Sequence, residues 1–208
     1  MTLIERLICL LIGYVFGCIQ NAYIVGRFYN VDIRDHGSGN AGSTNAVRVL
    51  GRKPGIVVFA LDILKAAAAF MVAALLFDGG GSFFVSGFVL PGLYAGAGAI
   101  LGHDFPVVLK FKGGKGIACS VGLILMLDWR AALIIFIIAI LVIVVSRFIS
   151  TASLLLTALT PVLMGILGYG MEAVIVSSLI AALAWWQHRE NIRRLLSGTE
   201  RKFTFNKA

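Results

Sequence analysis

Charge is what this 208-residue chain has least of. Only 13% of its residues are Asp, Glu, Lys or Arg, against about 25% in an ordinary soluble domain. Hydrophobic residues make up 59%, and mean hydropathy is +0.94. Proline is scarce, at 4 residues against 24 glycines, as suits apolar helices packed closely in lipid. The cysteines are few and unpatterned. Cys9, Cys18 and Cys119 lie in or beside apolar runs without CxxC spacing, which argues against both a disulfide framework and a zinc site. Clustered carboxylates are lacking, so no metal ion is expected. A GxSxG elbow is missing too, and no cysteine stands beside a histidine. The net charge of +8 comes without a soluble basic module carrying interleaved aromatics, so no nucleic-acid partner is expected. The chain therefore reads as an all-α, polytopic integral membrane protein, a single membrane-embedded domain over 1–208. Val15–Cys18 is a poor lipoprotein cleavage site because of the bulky Phe16, and the first apolar run reads as a retained span.

A span needs about 20 apolar residues. Candidate runs cover 4–26, 55–77, 83–102, 116–127, 131–147, 151–168 and 171–187. The fourth is short and reads either as a span or as a re-entrant segment. Charge decides between the two. With seven spans and the N-terminus outside, 15 of the 18 Lys and Arg residues fall on the inner side. Only Arg6 and Arg130 are left outside, and Lys65 falls within a span. This asymmetry predicts about seven transmembrane helices with a cytoplasmic C-terminus. The same inner charge attracts anionic lipid headgroups, making membrane lipids expected partners.

Three polar islands interrupt the apolar chain, and all three can be placed at one membrane face. The first is GSGNAGSTNAVRVLG at 37–51. Gly37, Gly39 and Gly42 fit a dinucleotide-binding pattern, but that pattern has meaning only between a strand and a helix, so no cofactor is expected. The glycines instead expose backbone N–H groups, Ser38, Asn40, Thr44 and Asn45 are neutral donors, and Arg48 can grip a phosphate with two parallel bonds. The second is Lys112-Gly113-Gly114-Lys115-Gly116, directly before an apolar helical stretch whose N-terminus favours an anion. Upstream, His103 reads as a capping or packing residue. The third begins at His188, which shares a helix face with Asn191, while Glu190 can pair with Arg193 or Arg194. Its bland reading is an amphipathic tail lying on the membrane, and both readings can hold together. Asp62 and Lys65, three residues apart in the second span, read as a structural ion pair ahead of a direct substrate contact. Ser150 and Ser153 can offer hydroxyls at another inner end; otherwise they are a helix cap and a packing serine.

Together the segments 37–51, LGHDFPVVLKFKGGKG at 101–116 and HRENIRRLLSGTE at 188–200, with Ser150-Thr151-Ala152-Ser153 between them, closely resemble the bacterial acylphosphate:glycerol-3-phosphate acyltransferases, the PlsY family. Three ordered motifs across a polytopic chain are far more specific than any one alone. The resemblance implies a seven-helix enzyme of the bacterial cytoplasmic (inner) membrane, working near its cytoplasmic face. It would move a fatty acyl group from acylphosphate to the 1-hydroxyl of glycerol 3-phosphate, giving lysophosphatidic acid and phosphate. A functional link to the acylphosphate-forming enzyme follows. Ser38, Arg48, Lys115, His188 and Asn191 form the expected catalytic set. Gly39, Asn40, Gly42, Thr44, Asn45, Gly113, Gly114, Gly116, Ser150 and Ser153 are expected around the substrates, and Asp62, Lys65, His103 and Glu190 in support. The chain departs from the family at Gly17-Cys18-Ile19-Gln20-Asn21, at Cys119 and at Gln187.

The chemistry is consistent with that activity. Both substrates carry phosphate, so two anion sites are required beside an apolar groove. His103 and His188 are followed five residues on by Val108 and Arg193, not by the Asp of an HxxxxD pair. Direct attack by the glycerol hydroxyl is favoured over an acyl-enzyme, with catalysis mostly positioning and charge stabilisation. His188 is one candidate base; a substrate phosphate oxygen is the preferred one. The reading from another class is a transporter of a phosphorylated or anionic solute.

Overall fold

The computed structural model describes residues 1–78 and 90–203, and the described residues are helical, with no strand among them. They group into two compact units, Met1–Leu127 and Asp128–Ala208.

In the first unit, α1 (Leu3–Gly17) starts on a capping box. Thr2 Oγ1 accepts from the Glu5 amide at 3.2 Å, and Glu5 reaches back to the Thr2 amide at 2.8 Å. The run expected as one span at 4–26 is broken. Helix α1 ends at Gly17, residues 18–20 turn, and α2 (Asn21–Phe28) resumes. No proline enforces the break. It is held by polar side chains: Gln20 Nε2 donates to the Gly17 carbonyl at 3.0 Å, and Lys65 Nζ donates to the carbonyls of Gly17 and Ile19 at 3.1 and 2.7 Å. Short helix α3 (Ser43–Leu50) and long helix α4 (Arg52–Asp78) follow, then α5 (Leu90–Asp104) and α6 (Ile117–Leu127). The portion of the third run before residue 90, and residues 79–82 of the connector ahead of it, lie outside the described residues.

Close packing explains the glycines of this unit. A Cβ on Gly13 or Gly17 would overlap the backbone of Ala95 or Ala99 on α5, and one on Gly98 or Gly102 would overlap Leu10 or Tyr14 on α1. Small residues thus bring the two backbones together, as helices without a hydrophobic driving force between them require. Phe70 of α4 fills the space left by Gly92. A smaller cluster of Ala22, Ile33, Ala46 and Val58 ties α2, α3 and α4 together and so fixes the loop between α2 and α3.

In the second unit, α7 (Trp129–Ser146) is capped by Asp128, which accepts from the amides of Arg130 and Ala131 at 2.8 and 3.3 Å. Arg147 in the left-handed region turns the chain into α8 (Ile149–Ile166), followed by α9 (Met171–Gln187) and α10 (Arg189–Leu196). One face of α7 leaves Leu133, Ile137, Ile140, Leu141 and Val144 exposed, each more than half, as a lipid-facing surface does.

Among the described residues, four helical stretches are long and apolar enough to cross a bilayer: Leu3–Phe28, Arg52–Asp78, Trp129–Ser146 and Ile149–Ile166. Ile117–Leu127 and Met171–Gln187 are apolar but shorter. The fourth run is a helix of 11 residues, below the usual length of a span.

Candidate active site

Within the first unit the first two islands come together. The Ala41 amide donates to the Gly113 carbonyl at 3.5 Å. The loop before α3 is shaped at its start by Asp32, whose carboxylate takes two bonds from the Arg34 guanidinium at 2.9 and 2.6 Å. The Arg34 contact lowers the Asp32 pKa to about 2, against a smaller upward push from burial. Gly37 sits at φ +64°, a conformation that side-chain-bearing residues rarely adopt, and a Cβ there would overlap Asn45 Oδ1.

Asn45 is the organiser of this loop. Buried at 2% exposure, its amide donates to the carbonyls of Ile33 and His36 at 2.8 and 3.1 Å and accepts from the Ser38 amide at 2.9 Å. Its polar group serves the loop that carries Ser38. Ser38 and Gly39 are exposed, and Asn40, Gly42 and Thr44 are half-buried beside them. Gly42 stands at the N-cap of α3 without a side-chain acceptor. The first-turn N–H groups of a helix lack intrahelical partners and suit a phosphate. Arg48 is exposed one turn beyond Thr44, on the same face of α3.

The glycines of the second island were expected to approach an anion. Their close approach is to the end of α5. Gly113 and Gly114 donate their amides to the carbonyls of Asp104 and His103 at 3.1 and 3.0 Å. A Cβ on Gly114 would overlap His103 Nε2, and one on Gly113 the His103 carbonyl. Gly116, at φ +69°, lies over the Asp104 carboxylate and leads into α6. Half-buried Lys115 thus stands on a turn whose shape is set by His103 and Asp104.

Beneath that turn lies a buried polar network. Asp62 and Lys65 form the expected ion pair at 2.9 Å, with their side chains 1% and 4% exposed. Asn21 donates to Asp62 Oδ1 at 2.9 Å, and Lys65 Nζ lies 2.9 Å from His103 Nδ1. Lysine only donates, so Nδ1 accepts and the ring is the neutral Nε2–H tautomer. Ligand atoms of Asp62, His103 and Cys119 lie within 4.8 Å of one another. The Lys65 ammonium already supplies a cation to two of the three, so this set fits a structural ion pair better than a metal ion. Gln20 and Asn21, which the sequence marks only as part of a departure from the family, join this network; two amides inside an apolar run are the available signal.

In the second unit, Ser150 and Asn191 meet at Glu200. Its carboxylate accepts from Ser150 Oγ at 2.9 Å, Asn191 Nδ2 at 2.6 Å and Arg194 Nε at 2.7 Å. Burial pushes the Glu200 pKa up, but the bonds from Asn191, Arg194 and Ser150 prevail and hold it below the ordinary range. Glu200 was quoted only as the last residue of the third motif; a carboxylate among so many cations was its one visible signal. Ser153 Oγ bonds back to the Ile149 carbonyl at 2.9 Å and serves its own helix. Glu190 pairs with Arg193 at 2.8 Å on the exposed face of α10, apart from this cluster. His188 is buried at the joint of α9 and α10, its Nδ1 lying 2.7 Å from the Ala184 carbonyl. A carbonyl only accepts, so Nδ1 carries a proton and donates it to Ala184.

The fold defines a helical integral membrane protein that presents glycine-rich polar loops. The family described as glycerol-3-phosphate acyltransferase matches residues 7–198, and the chain belongs to that family. A glycerol-3-phosphate acyltransferase of Thermoanaerobacter sp. (strain X514) is 42% identical over 193 residues, covering 92% of each chain. One from Halalkalibacterium halodurans is 42% identical over 199 residues, covering 93% of each. Among solved structures, the glycerol 3-phosphate form of PlsY, an integral membrane glycerol 3-phosphate acyltransferase, matches with a TM-score of 0.86. It is 33% identical, with 96% of each chain covered. Its lysophosphatidic acid form matches with a TM-score of 0.84 at 32% identity. Family membership selects the acyltransferase reading over the transporter.

Proposed function

We infer that this protein transfers a fatty acyl group from acylphosphate to the 1-hydroxyl of glycerol 3-phosphate. The observation that carries the reading is the likeness, over 96% of the chain, to an acyltransferase solved in glycerol 3-phosphate and lysophosphatidic acid forms. The hydroxyl oxygen attacks the acyl carbon, the bond from that carbon to the phosphate oxygen breaks, and an ester forms. The departing phosphate or the second substrate's phosphate takes the hydroxyl proton, and inorganic phosphate leaves. Arg48, Lys115 and the α3 amides supply charge and donors of the kind that hold phosphates and stabilise the leaving group. Ser38 and Asn40 offer neutral donors on the loop that Asn45 shapes. His188 Nε2 and Asn191 suit the glycerol hydroxyls, with His188 as positioning acceptor and a phosphate oxygen as base.

The protein works in the bacterial cytoplasmic membrane as one catalytic domain with seven spans, N-terminus outside and its substrate loops on the cytoplasmic face. The inner excess of Lys and Arg supports this direction. Acylphosphate links it to the enzyme that forms that donor. The test is direct: purified protein in lipid nanodiscs, given acylphosphate and glycerol 3-phosphate, should release lysophosphatidic acid and inorganic phosphate in equal amounts. Failure with acylphosphate together with robust turnover of acyl-CoA would overturn the donor assignment.

A further inference from the structure

We propose that Lys65 is a positioning residue of the acyl-transfer site, setting the Gly113–Lys115 turn through His103. The inference rests on the reading that Lys115 holds a substrate phosphate. A charge inside a membrane helix is costly and marks function by default. The contact with Asp62 is only one of those the ammonium makes. Besides Asp62, it meets His103 Nδ1 at 2.9 Å and the carbonyls of Gly17 and Ile19 at 3.1 and 2.7 Å. It therefore closes the break between α1 and α2 and orients the His103 ring in one contact set. Asp62 Oδ1 fixes the other side of the break through Asn21, the first residue of α2.

From His103 the path to Lys115 is short and stiff. The ring edge at Nε2 lies against Gly114, where no Cβ fits. The His103 carbonyl receives the Gly114 amide at 3.0 Å, and the next carbonyl, of Asp104, receives that of Gly113 at 3.1 Å. Gln20 Nε2, from the same helix break, also reaches the carbonyls of Gly102 and His103 at 3.4 and 3.3 Å. Ring and backbone of His103 are thus held from below by Lys65 and Gln20, and the glycine turn that carries Lys115 rests on them. Losing the Lys65 bond frees the ring to tip, and the turn, packed without a Cβ between, moves with it. A displacement of about 1 Å at a substrate-holding group suffices to change kinetics up to a hundredfold.

The experiment compares Lys65→Met with Lys115→Ala, each purified as folded, monodisperse protein in nanodiscs, with rates normalised to folded protein. KM is measured separately for acylphosphate and for glycerol 3-phosphate. Lys65→Met is expected to raise the KM of at least one of them about tenfold, the signature of lost substrate positioning. Combined with Gly114→Ala, its effect should be smaller than the product of the two single effects, because both act on one contact. A folded Lys65→Met protein with both KM values at wild type, or a strictly multiplicative double variant, overturns the proposal. If Lys65→Met does not fold, Asp62→Asn/Lys65→Met removes both buried charges and carries the same measurement. A Lys115→Ala protein with wild-type kinetics would instead sink the underlying site reading, and the proposal with it. Impaired Lys115→Ala beside unchanged Lys65→Met KM values rejects the positioning role alone.

Discussion

Ser150 Oγ donates to the Glu200 carboxylate at 2.9 Å across 50 residues of sequence, and so joins the start of α8 to the segment after α10. Asn191 and Arg194 complete the set of donors around the same carboxylate. A buried carboxylate with three donors is favourable only while all three remain, since each deletion leaves a desolvated group unpaired.

Glu200→Ala should therefore lower both stability and activity, because Arg194 and Asn191 lose their anchor together. Loss of a buried, charge-assisted set of this kind costs about 3 kcal/mol. Glu200→Gln keeps an acceptor for Ser150 or Asn191 and should recover part of that loss. Thermal unfolding in detergent of the two variants checks the order; equal, wild-type-like melting would dismiss the cluster as incidental.

Gly114→Ala places a methyl on His103 Nε2, and the turn before Lys115 has to shift. Overpacking of this kind costs about 1–3 kcal/mol, and activity should fall with it. Gly165→Ala is the internal control. Its nearest neighbour would be a Val174 methyl at 3.7 Å, an ordinary contact, so the variant should be active and at least as stable as wild type. Wild-type activity in Gly114→Ala would show that the turn is not confined by His103.

Asp128 should contribute to acid sensitivity, beside Asp32 and Glu200. Burial raises its pKa, but hydrogen bonds from Arg130, Tyr169 and two backbone amides overcome that and bring it to about 2 from 3.8. A folded-state pKa below the unfolded value gives stability that is present above the unfolded value and lost as pH falls through the folded one. The window runs from pH 3.8 down to about 2. Asp128→Asn keeps a side-chain cap for α7 but not the charge, so its melting temperature should fall at pH 6 and converge with wild type near pH 2. Parallel curves at all pH values would remove Asp128 from the acid response.

Topology is tested by labelling in intact cells on a background lacking Cys9, Cys18 and Cys119. Asp35 and Ser197, each replaced by Cys, occupy exposed positions before α3 and after α10. Both should react only with reagents that reach the cytoplasm. External labelling of either would reverse the orientation argued from Lys and Arg.

How much of this was legible in the sequence depends on the range of the interaction. The Asp62–Lys65 pair was visible because three residues on a helix always bring side chains together. Its link to Gly17 and Ile19 was not, because the break at 18–20 is held by the buried side chains of Gln20 and of Lys65 on α4, not by a local breaker such as proline. The four long spans followed from apolar length; α6 remained ambiguous because its 11 residues fit neither template. Asn45 was read as a ligand donor from its company in a glycine loop, whereas the folded loop consumes its amide. Glu200 meets Ser150 through tertiary contact alone, which no spacing rule anticipates.

Anion binding and proton transfer separate at Arg48, Lys115 and His188. Arg48→Ala and Lys115→Ala each remove a charge-assisted contact to phosphate, about twice as strong as a neutral one. If that contact strengthens as charge builds on the leaving group, its loss costs about 3–4 kcal/mol, or two to three orders of magnitude in rate. His188 behaves differently. Its Nδ1–H is committed to Ala184, so any contact to a substrate hydroxyl would be made by Nε2. His188→Ala should impair turnover by loosening glycerol 3-phosphate. His188→Gln offers an amide oxygen in place of Nε2 and should retain measurable turnover, with the acidic limb of the pH–rate profile unchanged. A profile that loses that limb in His188→Gln would make the imidazole the base. Folded Arg48→Ala and Lys115→Ala proteins with near-normal turnover would refute the phosphate sites, whatever His188 does.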